Sequence, residues 1–191
     1  MSSISLRSLE RLEYRDPLPF LVQLRRFEQE VAKSETPAKL KALRTNSLKE
    51  WRETREAAIF CYLMGRRTGR TVLLARGENQ DYDFVASWVD QGIQSYAPVQ
   101  LKELVPATLN PSTSIEGLIS SLGKYVDSRN LTVVIHLNQR RRFSLGELKI
   151  PKLEIAGLWM FGAVAPDQCS WGLWGNFLDF PEESVHEYPA A

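Results

Sequence analysis

Apolar side chains in the first third of the chain recur every three or four residues, the spacing that places them on one face of an α-helix. This pattern predicts helical structure over residues 5–32, with a break near Pro17, and a longer helix over residues 47–65. The longer helix becomes almost wholly apolar from Ala57 to Met64. We therefore expect this part of the helix to pack inside the protein, with the Cys61 thiol buried.

The middle of the chain changes from helical spacing to short runs of β-branched and aromatic residues separated by turns. These runs predict three strands, over residues 71–75, 82–88 and 96–105. A helical pattern over residues 115–128 follows, and a nearly continuous apolar run over residues 131–137 predicts a fourth strand that is buried on both faces. Short turns favour antiparallel pairing of the first three strands. The strand-helix-strand step favours a parallel fourth strand, so the predicted sheet is mixed.

The pattern is weaker toward the C-terminus. Residues 155–164 and 171–177 are predicted to form a hairpin, and residues 181–191 are acidic and predicted to be irregular. Three of the five tryptophans lie in this region: Trp159, Trp171 and Trp174. Their density favours a role in the core or in a subunit contact over stacking on bases.

Together these elements predict a single α/β domain. Its parts are an N-terminal helical extension (1–46), a core with a mixed sheet (47–137) and an aromatic-rich, β-rich C-terminal extension (138–191).

The composition is that of an ordinary globular protein, with 191 residues, 43% apolar and 25% charged. No apolar run approaches the ~20 residues of a membrane helix, and no secretory leader is visible, so we expect a cytoplasmic protein without a membrane partner. Two cysteines and two histidines, Cys61, Cys169, His136 and His186, give no zinc-binding spacing.

The net charge of +1 hides an asymmetry along the chain. Residues 1–70 hold 15 Lys and Arg against 9 Asp and Glu, a balance of +6, whereas residues 71–191 hold 9 against 14, a balance of −5. A basic N-terminal face could meet phosphate groups, although charge-rich helical surfaces alone account for the numbers.

The candidate chemistry lies on the second and third predicted strands. Asp83 offers a carboxylate, and 17 residues later Gln100 offers an amide oxygen. Lys102 leaves the third strand on the same face as Gln100, because side chains alternate along a strand. The backbone carbonyl of Leu101 could add another oxygen, and Glu56, where the long helix enters its apolar stretch, could reach a metal through water.

Oxygen ligands beside a lysine are what metal-assisted phosphodiester hydrolysis requires. Mg²⁺ or Mn²⁺ binds oxygen ligands, activates water and offsets charge on the phosphate. A lysine can orient the attacking water or offset developing negative charge. Each residue also has an ordinary explanation: Asp83 as a solvated strand-edge acid, Gln100 and Lys102 as the exposed face of an edge strand, and Glu56 as a surface ion pair with Arg52.

The predicted order is a helix that carries an acidic residue, three strands that carry Asp and a Gln-x-Lys pair, a second helix and a fourth strand. This order resembles the PD-(D/E)xK nuclease superfamily, which has the restriction-endonuclease-like αβββαβ core. The resemblance covers residues 47–137 and involves Glu56, Asp83, Gln100 and Lys102. It implies a nuclease that uses Mg or Mn, with Asp83, Gln100, Leu101 and Glu56 at the metal and Lys102 assisting the attack. The sequence departs from the family pattern at Tyr82, where Pro is usual, and at Gln100, where Asp or Glu is usual.

Three functions remain open from the sequence. The first is a metal-dependent nuclease acting on nucleic acid, DNA in the first instance, with Arg140, Arg141 and Arg142 contacting its backbone. The second is a catalytically inactive nucleic-acid-binding module on the same fold. The third is a protein-interaction subunit of a bacterial defence or toxin-antitoxin-like system, which would form a homodimer or bind a protein partner through the C-terminal aromatic segment.

Overall fold

The computed structural model describes residues 5–35, 37, 48–79, 82–139 and 143–190. The helices of this part of the chain are α1 (Leu6–Glu10), α2 (Pro17–Lys33), α3 (Lys49–Thr68) and α4 (Ile115–Ser121). The strands are β1 (Leu73–Asn79), β2 (Tyr82–Asp90), β3 (Ile93–Leu104), β4 (Ser128–Leu137), β5 (Ile155–Ala163), β6 (Ser170–Gly175) and β7 (Glu182–Glu187). Short 3₁₀ helices cover Leu122–Lys124 and Leu145–Glu147.

The strands form one mixed sheet in which they lie side by side in chain order. β1, β2 and β3 pair antiparallel, β4 pairs parallel to β3 and β5 pairs parallel to β4. β6 and β7 then return to antiparallel pairing. The predicted α/β class and the mixed sheet are therefore confirmed.

Two hydrophobic layers cover the two faces of this sheet. The apolar run of α3 packs on one face with Phe84, Val99 and Val134, and α4 packs on the other face with Val133 and Ile135. Successive residues of β4 thus enter opposite layers, as the alternation of a strand requires. The nearly continuous apolar run of β4 is explained by this burial on both faces.

The long helix α3 begins and ends close to its predicted bounds. Glycine at position 65 does not end the helix, because the chain continues as helix to Thr68 and stops at Gly69. Gly69 has a φ of 69°, a left-handed conformation that glycine adopts without steric cost. Cys61 is fully buried in this helix, as predicted, and burial raises the pKa of its thiol.

The C-terminal region is more regular than its sequence pattern predicts. β5 and β6 form the expected hairpin, but residues 182–187 form a strand at the edge of the sheet rather than irregular chain. β7 alternates between exposed and half-buried positions and has few large apolar side chains. Hydrophobic periodicity alone therefore gives little signal for this strand.

Helices α2 and α3 contact this C-terminal region. Arg25 of α2 stacks over the ring of Tyr188, with its Cζ atom 5.3 Å from the ring centroid. Arg55 of α3 lies over the ring of Trp171 at 5.5 Å, and its Nε atom is 2.7 Å from Glu28 Oε1. The two extensions predicted to flank the core therefore contact each other across the α3 face of the sheet. None of the helices in the described residues combines the length and apolar character needed to cross a membrane.

Candidate functional site

Asp83 and Gln100 are neighbours on adjacent strands. The antiparallel register pairs Phe84 with Val99, which places Asp83 directly opposite Gln100. The Gln100 side-chain amide donates a hydrogen bond to Asp83 Oδ2, and the backbone N–H of Leu101 donates a second one at 2.6 Å. Leu101 therefore contacts Asp83 through its N–H, a donor, whereas the sequence predicts its carbonyl oxygen at a metal.

Lys102 lies on the same face of β3 as Gln100. Its ammonium nitrogen is 5.8 Å from the centroid of the Tyr125 ring, a cation–π contact on the α4 side of the sheet. β3 lies between β2 and β4, so Gln100 and Lys102 do not form the exposed face of an edge strand. The expected grouping of Asp83, Gln100 and Lys102 on one face is thus observed, and we call these three residues the strand-pair site.

Glu56 does not join the strand-pair site. It belongs to α3, which packs on the opposite face of the sheet, and its side chain is buried, with 3% of its surface exposed. The expectation that Glu56 and Asp83 lie at one metal ion is therefore wrong, because the sheet separates them. The alternative of a surface ion pair with Arg52 is also wrong, since Glu56 is not at the surface.

Glu56 instead meets two side chains that reach the α3 face from the parallel strands. The register pairs Glu103 of β3 with His136 of β4, so their side chains leave the sheet on the same side. The ligand atoms of Glu56, Glu103 and His136 all lie within 4.8 Å of one another. This group could hold a metal ion, and we call it the α3-face cluster.

His136 supplies the nitrogen ligand of the α3-face cluster. Its Nδ1 atom is 3.1 Å from Glu56 Oε1, yet the approach is not that of a hydrogen bond, and Nδ1 has no hydrogen-bond partner among the described residues. The imidazole stacks on Phe161 at 4.8 Å between ring centroids and on Trp171 at 5.9 Å. His136 is therefore a core histidine with an unsatisfied nitrogen.

Two polar side chains orient Glu103. The side-chain amide of Asn138 donates a hydrogen bond of 2.7 Å to Glu103 Oε1, and Arg52 Nε lies 4.0 Å from Glu103 Oε2. The Glu103 side chain keeps 14% of its surface exposed, so the cluster is connected to solvent on this side. Glu103 and His136 lie near the carboxyl ends of two parallel strands, a position at which α/β proteins commonly bind ligands.

Sequence reasoning missed Glu103 because of the parallel pairing of β3 and β4. Glu103 follows Lys102 directly and faces the opposite way, so a search along one strand face does not include it. One signal could have found it: both Glu103 and His136 precede the last residue of their strands, and parallel strands joined by a helical crossover have their carboxyl ends at one edge.

Other predicted site residues contribute less. Arg140, Arg141 and Arg142 lie outside the described residues. Trp171 and Trp174 are buried, with 2% and 9% of their surfaces exposed, so these two rings pack the interior.

An apolar cavity of about 250 Å³ lies between the second half of α3 and the sheet, lined by residues that include Phe60, Met64, Trp88 and Trp159. None of the residues of either polar group lines it. We therefore restrict the candidate chemistry to the strand-pair site and the α3-face cluster.

Comparison of the chain with protein-family models, with curated proteins and with solved structures finds no match. Function must therefore be argued from the residues and their geometry.

Proposed function

We propose that this protein is a metal-dependent nuclease that hydrolyses phosphodiester bonds, with DNA as the first substrate to test. The observation that carries the proposal is the strand-pair site, in which Asp83 and Gln100 are in contact and Lys102 follows on the same face. A carboxylate, an amide and an ammonium group on one face are the residue types that metal-assisted phosphodiester hydrolysis uses.

The order of elements around this site supports the proposal. α3 precedes three antiparallel strands, and the crossover through α4 leads to a strand parallel to the third. This is the order of the restriction-endonuclease-like αβββαβ core that the sequence resembles. β5, β6 and β7 would then extend such a core at the β4 side.

The residue types of the strand-pair site suit a weakly held Mg²⁺ or Mn²⁺ ion, for which the Gln100 amide has to turn its oxygen toward the ion in place of the N–H that now donates to Asp83. Asp83 would supply an anionic oxygen and Gln100 an amide oxygen, and Mg²⁺ commonly completes its shell with water and substrate phosphate. When bound, such an ion supplies an activated water and offsets phosphate charge. Lys102 adds a fixed positive charge on the same face, where it would stabilise negative charge developing on the phosphate.

The test is cleavage of plasmid, linear and single-stranded DNA and of RNA by purified protein with Mg²⁺ or Mn²⁺. We expect Asp83→Asn and Lys102→Ala each to lower the cleavage rate by about 100-fold or more, in line with the loss of one charge-stabilising group.

The chain offers matched controls for both variants. Asp90 lies on the same strand as Asp83 but pairs with Arg70 at 2.9 Å, and Lys124 also lies over the Tyr125 ring, at 5.4 Å. Asp90→Asn and Lys124→Ala should leave the rate unchanged. Wild-type rates in Asp83→Asn would show that the strand-pair site does not carry the activity.

The separation of Glu56 from Asp83 favours a second candidate, a nucleic-acid-binding module without catalysis. Because the Glu56 carboxylate is not beside Asp83, metal binding there is weaker. Lys102 can still contact phosphate. This candidate predicts salt-sensitive binding of DNA or RNA, without cleavage, that Lys102→Ala weakens and Asp83→Asn does not.

A further inference from the structure

The α3-face cluster carries an inference that does not depend on nuclease activity. We infer that Glu56, Glu103 and His136 bind one first-row divalent transition-metal ion, such as Mn²⁺, Fe²⁺, Co²⁺ or Zn²⁺, in preference to Mg²⁺. The site lies on the opposite face of the sheet from Asp83.

The donor set determines the class of ion. Two carboxylates and one imidazole suit first-row transition ions, whereas Mg²⁺ and Ca²⁺ take oxygen ligands. Ligands about 2.1 Å from a tetrahedral ion lie about 3.4 Å apart. The separations within the cluster, at most 4.8 Å, come within reach of that value by rotation of the carboxylate groups.

The buried nitrogen of His136 supports a metal site independently of the donor set. His136 is buried, with 5% of its surface exposed, and Nδ1 lies 3.1 Å from Glu56 Oε1 without forming a hydrogen bond. A buried polar atom without a partner costs free energy, so such atoms in folded proteins ordinarily have a function or a ligand. Coordination of a metal by Nδ1 would satisfy it.

Charge also favours a cation here. Glu56 and Glu103 bring two carboxylates together in a largely buried place, where like charges repel strongly. Arg52 lies beside Glu103 and offsets part of that repulsion. A divalent ion would offset the remainder and bind the imidazole at the same time.

The surroundings hold the ligands in place. Asn138 fixes the Glu103 carboxylate through a 2.7 Å hydrogen bond, and stacking on Phe161 fixes the plane of the His136 ring. Such supporting contacts orient ligands in metal sites. Three protein ligands leave a coordination position for water or another ligand.

The experiment is calorimetric titration of metal-free protein with Mn²⁺, Zn²⁺ and Mg²⁺. We expect about one equivalent of Mn²⁺ or Zn²⁺ to bind at least about tenfold more tightly than Mg²⁺. Glu56→Gln and His136→Gln should each weaken Mn²⁺ binding by about tenfold or more. The matched controls, Glu53→Gln on the same helix and His186→Gln at the other histidine, should bind as the wild type does.

The outcomes separate this site from the proposed nuclease site. Asp83→Asn should leave tight Mn²⁺ binding intact even where it abolishes cleavage. If His136 and Glu56 form a plain ion pair instead, wild type and His136→Gln will bind Mn²⁺ equally, and the inference is overturned.

A measurement on the wild type covers the case in which these variants fail to fold. The chain has two histidines, so ¹⁵N-histidine-labelled protein gives ring nitrogen signals from two imidazoles to compare. Stoichiometric Zn²⁺ should shift the ring ¹⁵N signals of His136 and leave those of His186 in place. Unchanged His136 signals would contradict the site.

Discussion

At the scale of residues, the strand-pair site contains one carboxylate, Asp83, and one amide, Gln100. An amide oxygen carries no full charge, so the site holds one anionic group, Asp83, where two would bind a cation more tightly. The amide instead donates a hydrogen bond to Asp83. This pairing holds the two side chains together but directs N–H rather than oxygen at the carboxylate.

Gln100→Glu should therefore raise the affinity of the strand-pair site for Mg²⁺, by about tenfold or ~1.4 kcal/mol. The added negative charge and the loss of the amide donor both favour a cation between the two carboxylates. Calorimetry in a His136→Gln background, which weakens binding at the α3-face cluster, reduces the contribution of that cluster to the measured affinity.

Gln94→Glu adds the same charge on the same strand at an exposed position, and it should leave Mg²⁺ affinity unchanged. Equal affinities of wild type and Gln100→Glu would mean that Gln100 is not a ligand, and the non-catalytic binding module would then be the better proposal.

At the scale of elements, the crossover through α4 creates the α3-face cluster. By returning the chain in the same direction, α4 makes β4 parallel to β3 and pairs His136 with Glu103. The start of this short helix is fixed by Ser114, whose Oγ atom accepts a hydrogen bond of 3.0 Å from the Gly117 N–H. The helix predicted over residues 115–128 is shorter in the structure. The α-helix ends at Ser121, and a 3₁₀ helix continues it to Lys124.

Ser114→Ala should lower the free energy of unfolding by about 1 kcal/mol, the usual effect of losing an N-cap side chain. Urea unfolding followed by circular dichroism measures it. Ser120→Ala, at an exposed position within α4, is the matched control and should leave stability unchanged or slightly increased, since alanine favours helix. A Ser114→Ala variant as stable as the control would show that the cap does not stabilise the crossover.

At the scale of the whole molecule, α2 and the end of the chain close the α3 face of the sheet. Tyr188 is 8% exposed, and its ring lies under Arg25 and beside Trp171, with ring centroids 6.4 Å apart. Its hydroxyl donates to the backbone oxygen of Leu21 at 3.4 Å. Residues from the two ends of the chain therefore share one hydrophobic cluster with α3.

This burial predicts a loss of stability at alkaline pH. Burial raises the pKa of Tyr188 from 10.0 to about 12. Above pH 10 the unfolded chain releases the phenolic proton while the folded protein keeps it, so the free energy of unfolding falls as pH rises from about 10 to 12. Urea unfolding at pH 9, 10 and 11 should show this decrease in the wild type.

Tyr188→Phe keeps the ring and removes the titrating group, so its stability should fall less over the same pH range. Burial also raises the pKa of Tyr14 and of Cys61, so part of the decrease should persist in the variant. Parallel decreases in wild type and Tyr188→Phe would show that Tyr188 does not contribute.

The sequence by itself determined most of the local elements and part of one site. Hydrophobic periodicity located α3, β2, β3 and β4, because each buries a regular face, and strand alternation placed Gln100 and Lys102 together. It did not give β7, whose side chains are mostly polar and whose strand exists because the edge of β6 offers it hydrogen bonds.

Only the tertiary structure decided which polar residues meet. Whether Glu56 faces Asp83 or His136 depends on the face of the sheet that α3 covers, and the helix sequence does not state that face. Glu103 and His136 are 33 positions apart and become neighbours only through the register of two parallel strands. Long-range pairing is set by the packing of the whole core, so the α3-face cluster could not be inferred from local pattern.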